Sequence, residues 1–100
     1  MAVYQLMCWQ EIPSVVEARD GSGVHKVALG RCFQELIDLA AMKRGLAGSE
    51  AYLDQWRKSP RQEREGSAAE VATAVAAELE ARFGTLREEV LAKSRQMRPR

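Results

Sequence analysis

The stretch from Arg31 to Trp56, RCFQELIDLAAMKRGLAGSEAYLDQW, constrains the fold more than any other part of the chain. Phe33, Leu36, Ile37 and Ala40 repeat at i, i+3, i+4 and i+7, which places them on one face of an amphipathic helix. Lys43 and Arg44 fall in its last turn, where cations meet the negative end of the helix dipole, and Gly45 suits the left-handed position that follows. Gly45, Ala47, Gly48 and Ser49 then make a hinge. Ser49 is placed to cap a shorter helix carrying Tyr52, Leu53 and Trp56, which stops before Pro60 because the residue preceding proline avoids helical geometry. A helix with one apolar face needs a surface to cover, and the residues upstream supply one.

In Ala2 to Gln10, Val3, Met7 and Trp9 alternate with Tyr4, Leu6 and Cys8, and only Gln5 and Gln10 are polar. Such a strand is covered on both faces or central in its sheet. Pro13 lacks a donor and biases Ile12 towards extended geometry, which breaks the ladder before a second strand, Ser14 to Arg19. Asp20-Gly21-Ser22-Gly23 is a hairpin turn signal, and Val24 to Leu29 returns as the third strand. The reading is α+β: a three-stranded antiparallel meander covered by the Arg31–Gly45 helix, followed by two or three further helices.

Residues Ser59 to Gly66, SPRQEREG, are polar, Gly or Pro and read as an exposed linker. Ser67-Ala68-Ala69-Glu70 is a capping box opening a helix with an apolar stripe of Val71, Val75, Leu79 and Phe83. Gly84 interrupts it, and Thr85-Leu86-Arg87-Glu88 is a second capping box, while Met97 to Arg100 are expected to fray. One domain over residues 1–100 accommodates a meander (1–29), a two-helix segment (30–58), the linker (59–66) and a helical end (67–97).

Hydrophobic residues make up 46% of the chain but lean on alanine, with two each of Phe, Tyr and Trp, so the core is thin and helix contacts are close. A net charge of +1 argues against a general nucleic-acid binder. The basic excess is local, in Arg57, Lys58, Arg61 and Arg64 and in a tail of Lys93, Arg95, Arg98 and Arg100. Glu63 and Glu65 interleave the first cluster, which disfavours nucleic acid there too. The start shows no signal peptide, and no apolar run is long enough to cross a membrane. Two cysteines without an export signal point to reduced thiols in the cytoplasm.

Cys8, His25 and Cys32 are the only soft metal ligands, and no C-x-x-C spacing accompanies them. No motif asks for a cofactor. A thiol nucleophile, Cys8 or Cys32 with His25 as base, is the enzymatic alternative, and nothing in the spacing selects it. Gly21-Ser22-Gly23 lies in a hairpin, not between strand and helix, so it is no phosphate loop. Trp9 followed by Gln10-Glu11-Ile12-Pro13 has two readings: a core plug against Phe33 and Trp56, or an anchor in a binding edge.

Cys8 to Val16, Arg31 to Asp38, Ala40 to Lys43 and Ser49 to Arg57 together resemble a small bacterial virulence factor domain family, over Tyr4 to Phe83. The family pattern is an aromatic, then Trp, Arg, an acid and Ile-Pro, then a F-x-x-A-I-D-x-A-A-M helix and an A-Y-L-x-x-W block. This chain departs at Cys8, Gln10 and Leu36, where the family favours tyrosine, arginine and alanine. The first departure weighs against Cys8 as a required thiol. The second leaves any family role for a cation beside Trp9 unfilled in the sequence. The resemblance extends to a domain of the conserved virulence factor C type, and it implies no activity. The resemblance also implies an accessory role beside corrinoid- and folate-dependent methyl transfer, whose genes neighbour those of similar stand-alone members. The combined expectation is a non-enzymatic, protein-binding module, with Trp9, Glu11, Ile12, Pro13, Tyr52, Trp56 and Arg57 as its recognition surface. Its expected partner is another protein, or a second copy of the chain, and not a membrane; weak nucleic-acid binding through the basic linker and tail is the disfavoured alternative.

Overall fold

The computed structural model describes residues 1–96. Met97 to Arg100, and with them Arg98 and Arg100 of the basic tail, lie outside the described residues. Strands β1 (Ala2–Trp9), β2 (Ile12–Asp20) and β3 (Gly23–Ala28) form the expected antiparallel meander. Helices α1 (Arg31–Lys43), α2 (Glu50–Asp54), α3 (Ala68–Ala81) and α4 (Phe83–Gln96) follow. The class is α+β.

The sheet is wider than the sequence indicates. Two short strands, β4 (Trp56–Lys58) and β5 (Gln62–Arg64), pair antiparallel along the other edge of β1 and make it central. The segment expected as a linker is therefore partly a sheet edge, and Trp56 opens a strand instead of closing a helix. Ser59 joins the two pieces. Its N–H donates to the Leu6 carbonyl at 2.8 Å, and its hydroxyl accepts the Leu6 N–H at 2.8 Å. The side chain thus continues the ladder just before Pro60, which has no N–H to offer.

Two cores result, each matched in size to its helix. Beneath the sheet, Ala2, Val16 and Ala18 pack against Ala68, Val71, Ala72, Val75 and Ala76 of α3. Small residues on both sides allow the close approach that the alanine content implies. Beyond the turn end of the sheet, Trp9 and Ile12 pack against Leu36, Ile37, Ala40 and Ala41 of α1 and Val90 of α4. The main cover of the sheet is thus α3, while α1 covers its β1–β2 end, where Trp9 and Ile12 meet the Leu36–Ile37 face. The two cores, set end to end, give the molecule extents of 49 × 27 × 20 Å.

The helix ends follow the local chemistry in part. Gly45 has φ 73° after the last turn of α1, as its position demands. Ser67 and Glu70 make the reciprocal capping box that opens α3. Ser49 sits at the start of α2 but turns its hydroxyl back to donate to the Leu46 carbonyl at 2.6 Å, so it caps nothing. The second box does not form either. Thr85 lies inside α4, which begins at Phe83 because that ring packs edge-on against Phe33, with centroids 4.9 Å apart.

Candidate functional site

β1 and β2 meet in a two-residue turn, Gln10-Glu11, and everything of chemical interest gathers around it. Trp9 pairs with Ile12 across the turn and, on the other side of β1, with Trp56. Gln10 holds a φ of 52°, a left-handed conformation unusual for a residue with a side chain. Three contacts hold it there. Its N–H donates to the Gln55 carbonyl at 3.1 Å, its amide nitrogen donates to Gln55 Oε1 at 3.0 Å, and its amide oxygen accepts from Arg44.

Arg44 is the centre of this site. The first residue past α1, it runs inward with only 1% of its side chain exposed. Its two terminal nitrogens donate to the two Glu11 carboxylate oxygens at 2.8 and 2.7 Å, the parallel fork that guanidinium and carboxylate prefer. Its Nε donates to Ser94 Oγ at 2.9 Å, and Ser94 in turn donates to the Val90 carbonyl at 2.7 Å. One guanidinium therefore ties the β1–β2 turn to the end of α1 and to α4. Burial pushes the Glu11 carboxyl up, but the hydrogen bonds from Arg44 and from its own backbone, with the charges of Arg44 and Lys93, hold it below its ordinary value.

Trp9 fixes the neighbouring segment. Fully buried, it donates from Nε1 to the Tyr52 carbonyl at 2.8 Å, and its ring lies 5.5 Å from that of Tyr52. Tyr52 meets Trp56 edge-on at 6.4 Å, and both rings remain half-exposed. Leu53 beside them is 66% exposed, and Arg57 is exposed.

The seven residues expected as one recognition surface therefore divide. Trp9, Ile12 and Pro13 are buried, so they offer no surface and serve as the support. Trp9 is the core plug of the first reading, packed with Ile37 and its neighbours, whereas Phe33 meets Phe83 instead. Glu11 is engaged by Arg44. Tyr52, Trp56 and Arg57 face outward to varying degrees. Leu53, read as an apolar repeat of a helix, belongs to the surface because α2 ends one residue later. Arg44, Gln10 and Ser94 were missed as site residues, and the one signal for Arg44 was a cation at a helix end.

Cys8 and His25 are not brought together. Cys8 stands opposite Pro13, and His25 opposite Ala18 on the far side of β2, roughly 16 Å further along at strand rise. Cys8 instead lines a groove of about 490 Å³ between the sheet and the α3–α4 junction, floored by Leu6, Pro13, Leu79 and Leu86. Burial there pushes its thiol up, away from the reactive thiolate. Among the described residues, no three His, Cys, Asp or Glu side chains group as metal ligands do. The basic run also disperses: Lys58 reaches Glu17 at 3.7 Å, while Arg64 forms a fork with Glu78 at 3.1 and 2.5 Å. Among the described residues, no helix is long and apolar enough to cross a membrane.

Residues 7–91 match the family described as Virulence factor. The chain belongs to that family. The match takes in the β1–β2 turn, Arg44, the Tyr52–Trp56 segment and α4 as far as Leu91, and so the elements that build the site. No curated protein and no solved structure matched. In this virulence factor domain the end of α1 supplies a cation, Arg44, to the Gln10-Glu11 turn that follows Trp9.

Proposed function

We propose that this virulence factor domain is a non-enzymatic, protein-binding accessory module of the bacterial cytoplasm, recognising its partner through Tyr52, Leu53, Trp56 and Arg57. One observation carries this reading. Two half-buried aromatic rings, a 66%-exposed leucine and an exposed arginine share one short segment held from below by Trp9 and Gln10. Aromatic and arginine side chains on a rigid support lose little freedom when a partner covers them, which is why such residues dominate interfaces. A component of a corrinoid- or folate-dependent methyl-transfer system is the partner class to which the family resemblance leads.

Affinity purification of the tagged protein from its own cytoplasm, with mass spectrometry, tests the reading. A stoichiometric protein is expected with the wild-type chain and with His25→Ala, and is expected to be lost with Leu53→Asp and Arg57→Ala. Retention of the same protein by both surface variants, in folded form, would mean that the surface lies elsewhere.

A further inference from the structure

The sheet has a second face, opposite α3, on which a different set of side chains lies. The register sets Lys26, Glu17 and Gln5 in one cross-strand row and Val15, Met7 and Lys58 in the next. Met7 and Val15 belong to neither core, and the depressions along this face are lined only by strand residues and the loops beside them.

The charges here are unequal. Glu17, with 15% of its side chain exposed, receives Arg19 at 3.3 Å, Lys26 at 3.7 Å and Lys58 at 3.7 Å. One carboxylate cannot neutralise three cations, and the centre of the face keeps two positive charges. The cations remain 64%, 66% and 49% exposed, so each keeps donors directed at solvent. Asp20, at the hairpin end, has its carboxylate taken up by the backbone N–H groups of Ser22, Gly23 and Ala68.

We propose that this uncovered face docks an acidic polypeptide segment lying across the strands. The strands that carry Lys26 and Lys58 lie three spacings apart, roughly 14 Å, while their ammonium groups lean inward to Glu17, so a few residues of peptide cover both. Met7 and Val15 between them supply aliphatic contact for apolar side chains that alternate with the acidic ones. Nucleic acid fits less well, because the two rows carry no aromatic ring on which a base could stack. Its Lys58 row borders Trp56 on β4, but the proposal does not rest on the reading of the Tyr52–Arg57 segment.

Fluorescence anisotropy with a short labelled peptide of glutamate and leucine, and a twin with glutamine for glutamate, tests the proposal on the full chain. Saturable binding of the acidic peptide is expected, weakening as NaCl rises from about 50 to about 300 mM. Lys26→Gln with Lys58→Gln should weaken it by about tenfold, while Arg87→Gln should leave it unchanged. These neutral substitutions leave the Arg19–Glu17 pair in place. Lys26→Gln alone, on the exposed edge strand, supplies the same comparison if the double variant melts early. Equal binding of the glutamine twin, or equal affinity in the lysine variants, would overturn the proposal. So would a lysine-dependent preference for oligo-dT or for phosphatidylserine vesicles over the peptide.

Discussion

At the residue scale, Glu11 and Arg44 are unequal partners. The guanidinium is buried and the carboxylate is 29% exposed, so losing one is not equivalent to losing the other. Glu11→Ala strands a buried charge and is expected to cost about 3 kcal/mol. Arg44→Met leaves a carboxylate that water can reach and is expected to cost less, roughly 1 to 2 kcal/mol. Urea denaturation of the two variants checks the order, and a larger loss in Arg44→Met would contradict it. The pair also sets a pH dependence. Because the folded carboxyl lies below its ordinary value, its contribution is complete above the unfolded value near about 4.3 and is lost as pH falls through the folded one. Stability of the wild type should therefore decline on acidification more steeply than that of Glu11→Gln. Glu11 stands out in the sequence as the acid beside Trp9. Its partner does not, because 33 residues separate them and a cation at a helix end has an adequate local explanation in the dipole.

At the scale of elements, the hairpin from Ser14 to Leu29 and the helix from Arg31 are legible because each carries its own signal, a glycine turn or a 3.6-residue period. β4 and β5 carry none. Three-residue strands facing solvent need no apolar alternation, and what holds them is backbone pairing to β1 and the Ser59 hydroxyl. Ser59→Ala leaves the Leu6 N–H without that acceptor and is expected to cost about 1 kcal/mol in a thermal melt. Asp20 is the corresponding tie on the other side. Its carboxylate accepts from the first N–H of α3 at 2.7 Å as well as from its own turn. The Ala68 and Ser22 N–H groups hold it below its ordinary value, so Asp20→Ala should lower the melting temperature at neutral pH and lose its effect in acid. The second capping box illustrates the opposite failure. Thr85-Leu86-Arg87-Glu88 has the right letters, but packing of Phe83 on Phe33 starts the helix three residues earlier.

At the scale of the molecule, two modest cores share the strands β1 and β2, and Trp9 is the largest fully buried side chain in either. That arrangement separates support from surface: Trp9, Ile12 and Pro13 hold the end of the sheet, and Tyr52, Leu53, Trp56 and Arg57 lie on the less buried segment on which the proposed function rests. The sequence alone cannot make this division, since Trp9 and Trp56 look alike as aromatic anchors, and only the pairing of their strands decides which one is covered. The most direct test is acrylamide quenching of two single-tryptophan variants. Trp56→Phe, which keeps Trp9, should emit at shorter wavelength and resist quenching. Trp9→Phe, which keeps Trp56, should emit at longer wavelength and be quenched readily. Equal quenching of the two, or easier quenching of Trp9, would contradict the separation of support from surface.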